Sequence, residues 1–178
     1  MKLNLGCGSK ILKGYINVDH LNMSGVDLVC DLACLPLPFE ENSVDEIYCS
    51  HFVSHVPDIT GLMKEFYRIL KQGGTVQIYA PHFSSDNYKT DPTHRISLGA
   101  RSMNYFCDVK NWHLTYTDVT FDLEIAYVSF YQYDLRKKWY NAFYWSGFEF
   151  LVNSFPRFYE KFLSNFIPAN EVYFKLRK

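Results

Sequence analysis

Five strand-length apolar runs, at residues 3–5, 15–18, 26–30, 44–49 and 75–79, are spaced by turn residues and one clearly amphipathic helix. A tight hairpin joins antiparallel neighbours through two residues, whereas a parallel neighbour has to be reached by a crossover. The spacing therefore predicts a parallel sheet of the α/β type. The helix is read over residues 59–70, where Ile59, Leu62, Met63, Phe66, Ile69 and Leu70 recur on one face after Pro57-Asp58. Gly73-Gly74 is read as its left-handed cap. Pro36 and Pro38 bar regular structure from residues 32–42.

In open α/β sheets ligands sit beyond the carboxyl ends of the strands. The first run passes straight into Gly6-Cys7-Gly8. Two glycines around one small residue adopt backbone angles closed to other residues, and they place no Cβ between backbone and ligand. The second run ends on Asp19, an acid positioned to accept hydrogen bonds from the two hydroxyls of a ribose, and the third ends at Asp31. A nucleotide-like ligand lying against residues 6–8 is the reading that joins these features. The fourth run leads into Ser50-His51 and the fifth into Ala80-Pro81-His82. Ser9 and Lys10 break the GxGxxG pattern of nicotinamide-binding turns.

The second half reads as a long polar loop over residues 83–95, a helix at 98–109 and a long strand at 121–133. An aromatic helical stretch at 138–166, broken near Gly147 and Pro156, leads to a last edge strand through Val172, Phe174 and Leu176. Loops of this length over a sheet edge often cover a site. At 178 residues, the expectation is one domain spanning 1–178. A net charge of -1 predicts no nucleic-acid footprint. With the first strand beginning at Lys2, no signal peptide is expected ahead of it, and the expected compartment is the cytoplasm. Five cysteines without CxxC spacing suit reduced thiols better than a disulfide framework or a zinc site.

Taken together these stretches resemble the class I S-adenosylmethionine (SAM)-dependent methyltransferases, in particular the small bacterial group of the methyltransferase type 11 kind. The similarity runs through LNLGCGSKILKGYINVD, VDLVCDLACLPLPFEENSVDEIYCSHFVSHVPD and LMKEFYRILKQGGTVQIYAPH, in that order. It implies a Rossmann-like three-layer sandwich with a seven-stranded, mostly parallel sheet whose last strand is antiparallel. It also implies SAM as cofactor and S-adenosylhomocysteine as its product. By the resemblance, Gly6, Cys7 and Gly8 would line the methionine part, with Asn4 at the position near the ammonium where the family usually has an acid. Asp19 would hold the ribose, Asp31 and Leu32 would face the adenine, and Ser50 with His51 would complete the pocket floor. Two further departures are Ser54, where a glutamate is common, and Ser9, where a further glycine often lies, with so few residues from Gly8 to the second strand that the first crossover must be short.

SAM already carries an activated methyl, so the protein mainly has to align an acceptor, a contribution of about 7–11 kcal/mol. A hydroxyl acceptor also needs a base, and histidine, with an unperturbed pKa of about 6.5, is suited to the task. His82 and His51 leave strand ends where the acceptor would arrive, and each has the alternative of being a hydrogen-bonded loop histidine. Asp91 and His94 stand in the loop as DPTHR, where they could form a base pair with Arg95 holding an anionic group. The same residues would also make an ordinary turn. His51 and His55 share the four-residue spacing of a metal-binding pair, but no third ligand is evident and no metal is expected.

The aromatic stretch contains too many rings for an ordinary exposed helix, and Asn141, Glu149, Asn153, Arg157 and Glu160 interrupt it too often for a membrane span. Packing on the sheet is the first expectation. A homodimer or partner-protein surface, an acceptor wall or an interfacial membrane contact are the others. The functional expectation is methyl transfer from SAM to an oxygen or nitrogen of a small molecule, with a sugar of a surface polysaccharide as the specific acceptor. The alternative is a SAM-binding partner subunit without chemistry of its own.

Overall fold

The computed structural model describes residues 1–110, 114, 116–131 and 142–178. Seven strands, β1 (Lys2–Leu5), β2 (Ile16–Asp19), β3 (Leu28–Val29), β4 (Val44–Ser50), β5 (Leu70–Pro81), β6 (Asp122–Ser129) and β7 (Glu171–Arg177), form one sheet in the order β3-β2-β1-β4-β5-β7-β6. The pairs from β3 to β5 are parallel, and β7 inserts antiparallel between β5 and β6. This is the Rossmann-like α/β arrangement expected. The edge strand is β6, however, and β7 is interior, which is why Val172, Phe174 and Leu176 are completely buried.

Helix α1 (Ile59–Ile69) begins where the Asp58 carboxylate accepts the Gly61 N–H at 2.8 Å. It buries Leu62, Met63, Phe66 and Ile69 in one cluster with Leu3, Leu5, Ile47, Val76, Ile78 and Phe174 of the sheet. The periodicity placed this face correctly, but Gly73-Gly74 does not cap the helix. The chain leaves α1 at Ile69 and β5 begins at Leu70, whose ψ of 140° is already extended. Gly73, at φ 78°, sits inside β5 where its N–H donates to the Lys178 carbonyl at 2.9 Å.

Three other expectations are corrected. The polar loop contains a short helix, α2 (Asp86–Thr90), capped by Ser85. The helix read over 98–109 is only a 3-10 turn, Ser102–Phe106. The aromatic stretch folds as α3 (Ala142–Trp145), α4 (Phe148–Ser154) and α5 (Pro156–Phe158), the last running into a π turn at Tyr159–Leu163. Its rings are not mainly core. Phe150, Phe155, Phe158, Phe162 and Phe166 are all more than half exposed, whereas Tyr159 is buried. Helices of one or two turns, broken at Gly147 and Pro156, can turn only a few side chains inward. The ends of the aromatic and strand assignments at 132–141, including Trp139 and Tyr140, lie outside the described residues. Among the described residues no helix is long and apolar enough to cross a membrane.

Candidate functional site

Between β1 and β2 the described chain makes no helix, and polar side chains hold the crossover instead. Asn4, buried in β1, donates through Nδ2 to the Lys10 carbonyl at 2.7 Å and to Asn17 Oδ1 at 2.9 Å. Asn17 Oδ1 also accepts the Leu12 N–H at 2.8 Å, and the Asp27 carboxylate accepts from both Asn17 nitrogens at 2.8 and 2.9 Å. An acid at position 4 would set oxygen against oxygen here. The departure from the usual acid thus follows from the short crossover.

The glycine turn is pinned across the sheet end. Gly6 and Cys7 both donate to the Val18 carbonyl, at 2.9 and 3.1 Å. Gly6 has φ 65°, and a Cβ there would lie 2.6 Å from Phe52 Cβ, so geometry and space both require glycine. Gly8 N–H donates to Asp19 Oδ2 at 2.9 Å, and Leu21 N–H donates to Oδ1 at 3.0 Å. The Asp19 carboxylate, only 6% exposed, thereby closes the turn while lining the cavity in front of it.

That inner cavity, about 330 Å³, brings together Gly6, Asp19, Asp31, Leu32 and His51, with Phe52 and Val56 as apolar wall. Asn4, Cys7, Gly8 and Ser50 are not in its lining. Asn4 holds the crossover, Cys7 is buried with its thiol pushed up first by burial and then by the charge of Asp19, and Gly8 faces Asp19. Ser50 ends β4 half-buried. Sequence reasoning missed His20, Ala33, Phe52 and Val56, and considered His55 only as a metal-binding partner of His51. Each lies within a few positions of a residue it did find, but no periodicity marks which neighbours turn inward.

A second, outer cavity of about 470 Å³ shares His51 and His55 with the first and is completed by Pro81, Asn87, Thr90, Asp91 and His94. The loop over the sheet edge therefore lines a cavity. His51 stands between the cavities at φ 55°, with Nε2 2.8 Å from Glu171 Oε1. Glu171, 3% exposed, opens β7 opposite Pro81, a long-range pairing that the sequence does not signal. His94 lies 4.5 Å from His55, centroid to centroid, and stacks on Tyr88 at 5.4 Å.

His82 is placed differently from the expectation that it meets an acceptor. It is completely buried, lines neither cavity, and its ring nitrogens lie 2.8 Å from Ser84 Oγ and 3.4 Å from Glu160 Oε1. Burial pushes the Glu160 carboxyl up, but hydrogen bonds from His82 and the Ala100 N–H outweigh it and leave that pKa below the usual carboxylate value. His82 is thus part of a buried polar junction tying β5 to the π turn. Arg95 is exposed and outside the outer-cavity lining, and its backbone N–H donates to the Ser54 carbonyl at 2.8 Å. The five cysteines are unbridged.

The inner cavity suits an adenosyl amino acid such as SAM. It offers a bare glycine backbone, a buried carboxylate for vicinal hydroxyls and an apolar wall, and the type of group each surface contacts is the one such a ligand presents. Comparison with known proteins points the same way. Residues 3–78 match the methyltransferase type 11 domain family. The sterol 24-C-methyltransferase of Saccharomyces cerevisiae is 33% identical over 61 residues, covering 34% of this chain and 16% of the yeast protein. Cycloartenol-C-24-methyltransferase of Arabidopsis thaliana is 38% identical over 60 residues, covering 32% of this chain and 18% of that protein. The chain therefore spans less than a fifth of either curated relative. Among solved structures, a SAM-dependent methyltransferase from Archaeoglobus fulgidus superimposes with a TM-score of 0.61 at 17% identity, covering 99% of this chain and 85% of that one, which establishes a common fold. Residues 3–78, less than half of the chain, accordingly match the type 11 methyltransferase domains, and the whole chain shares its fold with a SAM-dependent methyltransferase of known structure.

Proposed function

We propose that this chain transfers a methyl group from SAM to an oxygen or nitrogen of a small molecule, with the cofactor in the inner cavity and the acceptor in the outer one. The observation that carries the reading is the placement of His51: it borders both cavities and is held by a buried carboxylate. Gly6, Asp19, Asp31 and Leu32 would hold SAM, which supplies an electrophilic methyl once bound. Glu171, accepting from His51 Nε2, would fix the ring and leave Nδ1 to take the acceptor's proton, the same logic by which a carboxylate orients a catalytic imidazole elsewhere. His82 takes no part in this scheme.

The acceptor side does not follow from the relatives. Pro81, Asn87, Thr90, Asp91 and His94 lie beyond residue 78, where the family match ends. The polar outer lining favours a hydroxylated acceptor such as a sugar, including one from a surface polysaccharide, over a sterol. Calorimetry with S-adenosylhomocysteine tests the first step, and absence of binding at millimolar ligand refutes it. Methylation of hydroxylated acceptors by wild type and His51→Ala tests the second, with turnover expected to fall about 10²–10⁴-fold in the variant. Undiminished turnover in His51→Ala removes His51 from the chemistry.

A second reading, a SAM-binding subunit that works with a protein partner, is favoured by the exposed rings of Phe150, Phe155, Phe158 and Phe166. A solved complex containing the Haloferax volcanii Trm112 methyltransferase activator has this fold, with a TM-score of 0.58 at 15% identity over 99% of this chain and 81% of that one. Light scattering together with methylation assays separates the cases, since a catalytic monomer turns over alone whereas a subunit requires its partner or a second copy.

A further inference from the structure

The outer cavity holds a third histidine arrangement that the methyl-transfer scheme does not use. His55, Asp91 and His94 each offer one ligating atom, and the three atoms lie within 4.8 Å of one another. The hydrogen bonds around them settle which atoms are available. His94 Nδ1 lies 3.1 Å from the Tyr88 carbonyl oxygen, which can only accept, so Nδ1 carries the proton and Nε2 keeps its lone pair. Thr93 has one hydroxyl proton, and it goes to Asp91 Oδ1 at 2.7 Å, because an ionised carboxylate can only accept. The Thr93 N–H also donates to Asp91 Oδ1, at 2.8 Å. His55 Nδ1, 2.9 Å from Thr93 Oγ1, must then donate to it. Both imidazoles are therefore fixed in the tautomer that presents Nε2, and Asp91 has Oδ2 uncommitted to Thr93.

We propose that His55, Asp91 and His94 bind a divalent transition ion, zinc by the chemistry of the donors. Two imidazoles and one carboxylate are the protein ligands of many catalytic zinc sites, and such sites keep a position for water or substrate. Ligand bonds of about 2.0–2.2 Å around one ion require the three atoms to close by roughly 1 Å. Side chains on a turn and a surface loop can make that movement. The outer partners are of the kind metal sites use: each ring donates its other N–H, one to a carbonyl and one to a hydroxyl anchored on the carboxylate. Spacing did suggest a histidine pair, but with His51 as its partner. The fold instead ties His51 to Glu171 and brings His94 to His55. If the chain transfers methyl groups as proposed above, the ion's remaining positions open onto the acceptor cavity, and the acceptor would present a hydroxyl oxygen to it.

The test uses the full chain, stripped of metal by a chelator and titrated with Zn²⁺ by calorimetry and with Co²⁺ by visible absorption. One equivalent is expected to bind, with Co²⁺ ligand-field bands, and His94→Ala and Asp91→Asn are expected to weaken binding by at least about 100-fold. Thr93→Val, which removes only the outer hydrogen bonds, should weaken it about 10–100-fold. Circular dichroism verifies that the variants fold, and His94→Gln serves as a shape-preserving replacement if His94→Ala does not. Failure of wild type to bind either ion saturably up to millimolar concentration overturns the site, as does equal affinity in wild type and His94→Ala. S-adenosylhomocysteine binding, measured without metal in the same samples, reports on the methyltransferase reading separately: its failure beside intact metal binding refutes that reading and leaves the site standing.

Discussion

Asp19 offers the sharpest test, because its carboxylate is given two tasks that different measurements read. Its structural task is to accept the Gly8 N–H at 2.9 Å and the Leu21 N–H at 3.0 Å, with His20 Nδ1 also 3.0 Å from Oδ1. Hydrogen bonds to a charged acceptor contribute about 1.5–3 kcal/mol each, so losing both backbone bonds sets an upper range of about 3–6 kcal/mol. The freed amides lie at a cavity mouth where water replaces part of the loss. Asp19→Ala should therefore destabilise the chain by about 2–4 kcal/mol in urea denaturation, with a Tm lower by about 4–16 °C. Asp19→Asn keeps one acceptor oxygen but aims an NH₂ at a backbone N–H, and should cost about 1–2 kcal/mol. Its proposed ligand task is to hold the ribose, and removing the charge from two such hydrogen bonds should raise the S-adenosylhomocysteine Kd by about 100-fold in Asp19→Asn. Calorimetry well below the variant's Tm separates the two effects. Wild-type stability in Asp19→Ala refutes its role in closing the turn, and an unchanged Kd in Asp19→Asn refutes the ribose assignment.

Other expectations follow from the same geometry. Asn4→Asp replaces two donated hydrogen bonds by a buried charge facing the Lys10 carbonyl and Asn17 Oδ1, and should destabilise by about 2–4 kcal/mol by chemical denaturation; a neutral result means the crossover is held otherwise. The backbone N–H and side chain of Asn17 lower the pKa of Asp27, so this carboxylate stabilises the fold above its ordinary pKa near 4 and the contribution is lost as pH falls through and below that value. Stability measured between pH 7 and 3 should fall less steeply in Asp27→Asn than in wild type, and an equal slope contradicts the assignment. Ser54 Oγ is buried without a hydrogen-bond partner among the described residues, so Ser54→Ala should be neutral or stabilising by up to about 1 kcal/mol. In alkylation followed by mass spectrometry, exposed Cys34 should label first, slowly at neutral pH because Asp31 raises its pKa. Cys107, pushed up to about 12 by burial, and Cys49, fully buried, should label only on unfolding.

The parallel half of the sheet, the buried face of α1, and the pairing of a glycine turn with Asp19 could be read from residues alone. Each depends on local periodicity or on a residue's place at a strand end, and neighbours within a few positions determine both. Tertiary structure decided what those signals could not reach. Position 4 holds an asparagine because the crossover beside it lacks a helix, and that reason appears only when Lys10 and Asn17 come into contact with it. His51 and His82, which looked interchangeable at strand ends, and His55, read only as a partner for His51, take different roles through partners more than 30 residues away. Glu171 meets His51, Glu160 meets His82, and Asp91 and His94 meet His55. The aromatic stretch shows the same limit from the other side, since composition alone suggested a core and short broken helices left most of the rings outside. A strand end determines that a ligand can be met there; which side chain faces it depends on how distant segments pack, and no local pattern encodes that.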